Sequence, residues 1–117
     1  MEGTFQSVIK DGDYMKVSPA FQAFAKEAPE VQMAWMEMVQ KVDDASALDK
    51  KTKELAYLAV MAAVGLESGL PFHVKMAKSK GATREEIISS ILVGLPAVGN
   101  TIVKSLPIAL EAFDEEV

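Results

Sequence analysis

The sequence predicts an all-α protein of about six or seven helices, and three observations carry that prediction. No stretch sustains the apolar/polar alternation of a half-buried strand, and no Asn-Gly or Asp-Gly turn links two β-branched runs as a hairpin requires. Helix punctuation, by contrast, recurs along the whole chain: Ser-Pro, Ala-Pro and Thr-x-x-Glu at starts, Gly at stops. At 117 residues, half of them apolar, the chain is expected to form one domain over 1–117 and to bury a core without disulfides.

Ser18-Pro19 reads as an N-cap followed by Pro at the first helical position, opening a short helix to about Lys26. Ala28-Pro29-Glu30 restarts the chain as a second helix. Its Val31, Trp35, Met38, Val39 and Val42 recur at three- and four-residue spacing and are expected to face the core. Met33, Met36 and Met38 read as gap-filling core rather than a binding surface. The polar run DDASALDKKTK is the longest loop candidate, with Asp49 placed to cap a third helix, Lys50 to Val64. After Leu55 that helix is apolar almost all round, so it must be covered on every side, and a second subunit is expected to supply the cover.

Gly65 and Gly69 bracket the next turn, and Pro71 sits early in a fourth helix reaching about Lys80. Gly81 ends that helix as a C′ residue, and Thr83-Arg84-Glu85-Glu86 opens a fifth with capping-box spacing. Ile87, Ile88, Ile91, Leu92 and Leu95 are its expected buried face. Gly94, Pro96 and Gly99 make another break before a last helix, about Asn100 to Phe113, in which Pro107 predicts a kink or a restart.

Composition removes several functions. A net charge of −5 repels a phosphate backbone, so nucleic acid is not an expected partner. Apolar runs fall short of a membrane span, and the opening MEGTFQSVIKDGDYMK lacks the basic-then-apolar order of a signal peptide, so the cytoplasm is the expected location. With no Cys there is no disulfide, thiolate metal site or thiol nucleophile. With one His, a zinc site lacks ligands, and no metal or organic cofactor is expected.

Few residues are left to carry chemistry. His73 falls in the first turn of the fourth helix, where the positive dipole end favours a neutral imidazole suited to acid/base work; the bland alternative is a half-buried His bonded to backbone. Glu54 opens the apolar helix and reads equally as a dipole-pairing residue or a partner of Lys50. Glu67, between the two turn glycines, reads as a solvated carboxylate, and Lys50, Lys51 and Lys53 as a wet basic face. Helical rise puts Glu54 roughly 20 Å below the hairpin tip and His73 about a third of that, so spacing alone does not join them.

The segment LDKKTKELAYLAVMAAVGLESGLPFHVKMAKSKGATREEIISSILVGLPAVGN, Leu48 to Asn100, resembles the core of the carboxymuconolactone decarboxylase and alkylhydroperoxidase D-like superfamily. The matching elements are LDKKTKEL, the small-residue helix AVMAAVG, a His a few residues beyond the turn, KGATREEI and GLPA. The resemblance implies an all-α bundle built round a helical hairpin, assembled as dimers, trimers or hexamers. It also implies a Glu at the start of the helix and a His after the turn, which fall on Glu54 and His73.

The Cys-x-x-Cys of the peroxidase branch falls on Leu66 and Gly69, so dithiol peroxidase activity is not expected. The decarboxylase branch, which lacks the Cys pair and keeps a His after an acidic turn, is the better likeness. It usually carries an Arg just after the turn Gly, where this chain has Leu66. The expectation is a cofactor-free lyase acting on a small carboxylated lactone, with His73, Glu54 and Glu67 as its catalytic residues. The alternative is a non-catalytic member that binds a small molecule or serves assembly.

Overall fold

The computed structural model describes residues 17–115, and the opening segment on which the absence of a leader is read lies outside them. Among the described residues every regular element is helical, and packing divides the chain into two compact units that meet in sequence at Ala47 and Leu48.

The first unit holds α1 (Pro19–Glu27) and α2 (Pro29–Ala45). Ser18 caps α1 as expected, its Oγ accepting from the Phe21 amide at 3.1 Å, with Pro19 in the first turn where its missing N–H costs nothing. Phe21, Phe24 and Trp35 pack as three rings with centroids 5.5–6.2 Å apart, which fastens α1 to α2.

The stripe expected as core does not behave as core in the single chain. Val31, Met38 and Val42 are 49–62% exposed and Trp35 and Val39 37%, whereas Gln32 and Met36 are the buried residues of α2. Among the described residues α2 has one neighbouring helix in its unit, which covers one narrow strip. The methionine group is split for the same reason: Met36 is buried, while Met33 and Met38 face outward. The long polar loop is also shorter than expected, because α2 continues through Ala45. Gln40 donates to Asp44 at 2.9 Å along its wet face, so polarity there supports the helix rather than ending it.

The second unit begins with α3 (Lys50–Val64), capped by Asp49, whose carboxylate accepts from the Thr52 amide at 2.8 Å and the Thr52 hydroxyl at 3.1 Å. Gly65 ends α3 at φ 77°, a left-handed conformation that glycine adopts without strain. A 3₁₀ turn, Glu67–Gly69, leads into α4 (Leu70–Ser79), closed by Gly81 at φ 98°. In α5 (Arg84–Leu92) both bonds of the capping box form: the Thr83 hydroxyl accepts from the Glu86 amide, and the Glu86 carboxylate from the Thr83 amide. That amide, with the Lys51 ammonium, holds the Glu86 carboxyl below its ordinary pKa.

A short α6 (Leu95–Val98) and a 3₁₀ segment, Asn100–Lys104, precede α7 (Ser105–Asp114). The expected restart is real and falls at Ser105, which leaves Pro107 in the first turn of α7, where no i−4 hydrogen bond is lost.

Leu58, Leu70, Val74, Ile87, Ile91, Ile102 and Ala109 are at most 1% exposed and form one cluster across α3, α4, α5, the 3₁₀ segment and α7. Of the face expected on α5, Ile87 and Ile91 are fully buried and Ile88 and Leu92 partly so; Leu95 is 36% exposed because it belongs to α6. On α3, Leu58, Met61 and Ala62 face this core, while Tyr57, Val60 and Val64 are exposed. Among the described residues, the helix that is apolar all round is thus buried on one side, with Tyr57, Val60 and Val64 outside the core. No helix among the described residues is long and apolar enough to cross a membrane.

Candidate functional site

The α3–α4 hairpin sets a register that the linear spacing conceals. The chain does not leave the top of α3 as a straight rod: the Leu66 amide donates back to the Met61 carbonyl at 2.9 Å, and the 3₁₀ turn coils down beside the helix. A Cβ placed on Gly69 lies 2.7 Å from the Met61 Cε, so the Met61 side chain reaches across to the turn. One turn further along α4 and one turn back along α3, the His73 and Tyr57 rings meet edge to face with centroids 4.7 Å apart. Glu54 is the next residue back on that face.

The result is a contact that sequence spacing does not give: His73 Nδ1 lies 3.7 Å from Glu54 Oε1. Both side chains are mostly covered, Glu54 13% and His73 26% exposed, and the two facing atoms are buried with no hydrogen-bond partner among the described residues. At 3.7 Å the pair is beyond hydrogen-bond range, so the imidazole is held chiefly by ring packing, with Tyr57 on one side and Phe72 on another at 5.1 Å. A carboxylate facing an imidazole, with one edge of the ring reaching solvent, is an arrangement suited to proton transfer.

Glu67 is not part of that pair. Its Oε2 is buried and lies 3.7 Å from Lys104 Nζ, at the end of the 3₁₀ segment before α7. The expectation of a merely solvated carboxylate is therefore corrected: Glu67 is 30% exposed and faced by a cation from far along the chain. Lys51, read as part of a wet basic face, is engaged with Glu86 at 3.2 Å.

Sequence reasoning missed Tyr57 and Lys104. Tyr57 had a usable signal, being three residues beyond Glu54 on one helical face; Lys104 had none, since only the tertiary fold brings it to Glu67. Partial burial, and then the Glu54 carboxylate, raise the Tyr57 hydroxyl above its ordinary pKa, so it remains a donor throughout the neutral range.

The positions matched to the two cysteines are equally informative. Leu66 is 55% exposed, and the Met61 methyl occupies the space a side chain at Gly69 needs. Among the described residues no group of three or more His, Asp and Glu is arranged to hold a metal ion. The face of α2 that carries Ala34, Met38, Lys41 and Val42 is an open surface.

An all-helical protein whose hairpin brings a buried Glu carboxyl to 3.7 Å from its one His, with no thiol, is the class this geometry defines. The carboxymuconolactone decarboxylase family model matches residues 29–111, most of the chain, and the protein belongs to that family. Searches of curated proteins and of solved structures gave no match.

Proposed function

We propose that this protein is a cofactor-free lyase that removes CO2 from a small unsaturated lactone carboxylate. The observation that supports it is the Glu54–His73 contact, two buried and unsatisfied acid/base atoms 3.7 Å apart beside a half-open imidazole. In the reaction the bond between the ring carbon and the carboxylate breaks, and its electron pair moves into the unsaturated lactone. A proton arrives at the far end of the shifted double bond. One proton is taken up, CO2 leaves, and no electrons are gained or lost, so the lactone itself is the electron sink.

In this reading His73 delivers the proton and regains it from solvent through its exposed edge, and Glu54 stabilises the imidazolium and fixes the ring. Glu67, paired with Lys104, would act on the substrate's charge rather than on the proton. A chain without Cys, and with no membrane-crossing helix among its described residues, fits a cytoplasmic site of action.

The direct test is the ultraviolet absorbance of 4-carboxymuconolactone on incubation with the protein. Loss of absorbance that scales with protein concentration is the expected result. A flat trace at high protein concentration removes this substrate and favours the second reading, a small-molecule-binding or assembly member of the family. One observation speaks for the assembly part of either reading: Val31, Met38 and Val42 leave one apolar face of α2 open, which a second copy of the chain would cover. Sedimentation equilibrium is accordingly expected to give a mass that is a multiple of 12.6 kDa, as a dimer, trimer or hexamer. A monomer at high micromolar concentration would remove the homo-oligomer.

A further inference from the structure

We propose that Tyr57 is a substrate-contacting residue of this site, its hydroxyl donating a hydrogen bond to the lactone carbonyl as charge develops on it. The assignment rests on the decarboxylase reading and supplies the donor which that reading lacks. As the electron pair of the broken bond moves into the ring, negative charge gathers on the carbonyl oxygen, and a donor aimed at that oxygen lowers the barrier. Glu54 offers only acceptors when ionised, His73 is committed to the proton, the Lys104 ammonium is faced by Glu67 at 3.7 Å, and the Leu66 side chain has no polar atom.

Three observations single out Tyr57. It stands beside both acid/base partners, its ring against His73 at 4.7 Å and its position on α3 three residues from Glu54. It is 41% exposed, so a ligand at the open edge of the imidazole reaches it without displacing the core. Among the exposed large apolar residues of the second unit it is the one that carries a hydroxyl; its neighbours on that face, Val60 and Val64, are aliphatic. Packing does not require that oxygen, and it makes no hydrogen bond to another described residue. The raised pKa keeps the phenol protonated where the enzyme works, which is the state the role needs.

The substitution Tyr57→Phe isolates the oxygen, because the ring that holds His73 is retained. Two readouts are taken on the full-length wild type and variant. The first is the affinity for 5-oxotetrahydrofuran-2-carboxylate, a saturated lactone acid that has no double bond to accept electrons and does not decarboxylate. Calorimetric titration is expected to show binding to the wild type about tenfold tighter than to Tyr57→Phe. Equal affinities, or no binding to the wild type, overturn the assignment.

The second readout is turnover of 4-carboxymuconolactone, where kcat is expected to fall about a hundredfold, more than binding does, because the bond strengthens as charge develops. If the wild type is active and the variant has the same kcat, the catalytic role is lost. If the wild type binds the inert lactone more tightly than the variant but turns over no substrate, the decarboxylase reading fails, and Tyr57 stands as a lactone-binding residue. An unchanged sedimentation mass and melting temperature confirm that Tyr57→Phe folds and assembles as the wild type does.

Discussion

Replacing His73 by alanine is expected to abolish decarboxylation while leaving the fold intact, with kcat falling by about 10²–10⁴-fold. The size follows from the absence of any substitute. His73 is the only histidine in the chain, there is no cysteine, and the phenol beside it is held protonated. Glu54 alone cannot take over, because its carboxylate is mostly covered and faces the imidazole rather than the open edge of the site.

Structural damage is expected to be small. The imidazole is partly exposed and its Nδ1 makes no hydrogen bond among the described residues, so alanine strands no buried partner except Glu54, which has none to begin with. Circular dichroism and sedimentation should therefore match the wild type. Turnover that survives in His73→Ala would take the residue out of the mechanism and leave the Glu54 contact as packing. Glu54→Gln separates the two roles: it keeps the shape, removes the charge and is expected to lower kcat with little change in KM.

Much of the helical order was legible because caps are local chemistry. Ser18, Asp49 and the Thr83–Glu86 box each place a side-chain acceptor within three residues of the amide it satisfies, so a short window of sequence contains the whole interaction. Gly65 and Gly81 mark their helix ends for the same reason. What a window cannot contain is which side of a helix finds a neighbour. The α2 stripe has the periodicity of a core face and yet is open in the chain, since periodicity records that a face is apolar and not what covers it.

The site shows the same division. His73 and Glu54 could each be named from the sequence, but their pairing came only through the family likeness, because helical rise alone does not join them. Their contact depends on the 3₁₀ turn, whose Leu66 amide bonds back to the Met61 carbonyl and so returns the chain along α3. Glu67 and Lys104 come together only through the packing of the 3₁₀ segment against the rest of the unit, which no local pattern announces.

That dependence of the site on register leads to the largest effect expected on stability, in Leu58→Ala. Leu58 follows Tyr57 on α3, is fully buried, and belongs to the same cluster as Leu70 and Val74 of α4 and Ile87 and Ile91 of α5. Truncation removes buried methyl groups and leaves a cavity where three helices meet, at a cost of about 2–5 kcal/mol. Against a total stability of roughly 5–15 kcal/mol for a domain of ordinary size, that is a large fraction, and the melting temperature should drop by roughly 10 °C or more. Leu58→Met, which conserves volume, is expected to cost under about 1.5 kcal/mol and serves as the control. Because the cavity opens between α3 and α4, the helices that present Glu54 and His73, activity measured well below the new melting temperature should fall further than the folded fraction does. Equal melting temperatures for Leu58→Ala and wild type would mean that α3 is not packed through this face. A loss of activity that only tracks unfolding would mean that the Glu54–His73 distance does not depend on the core beneath it.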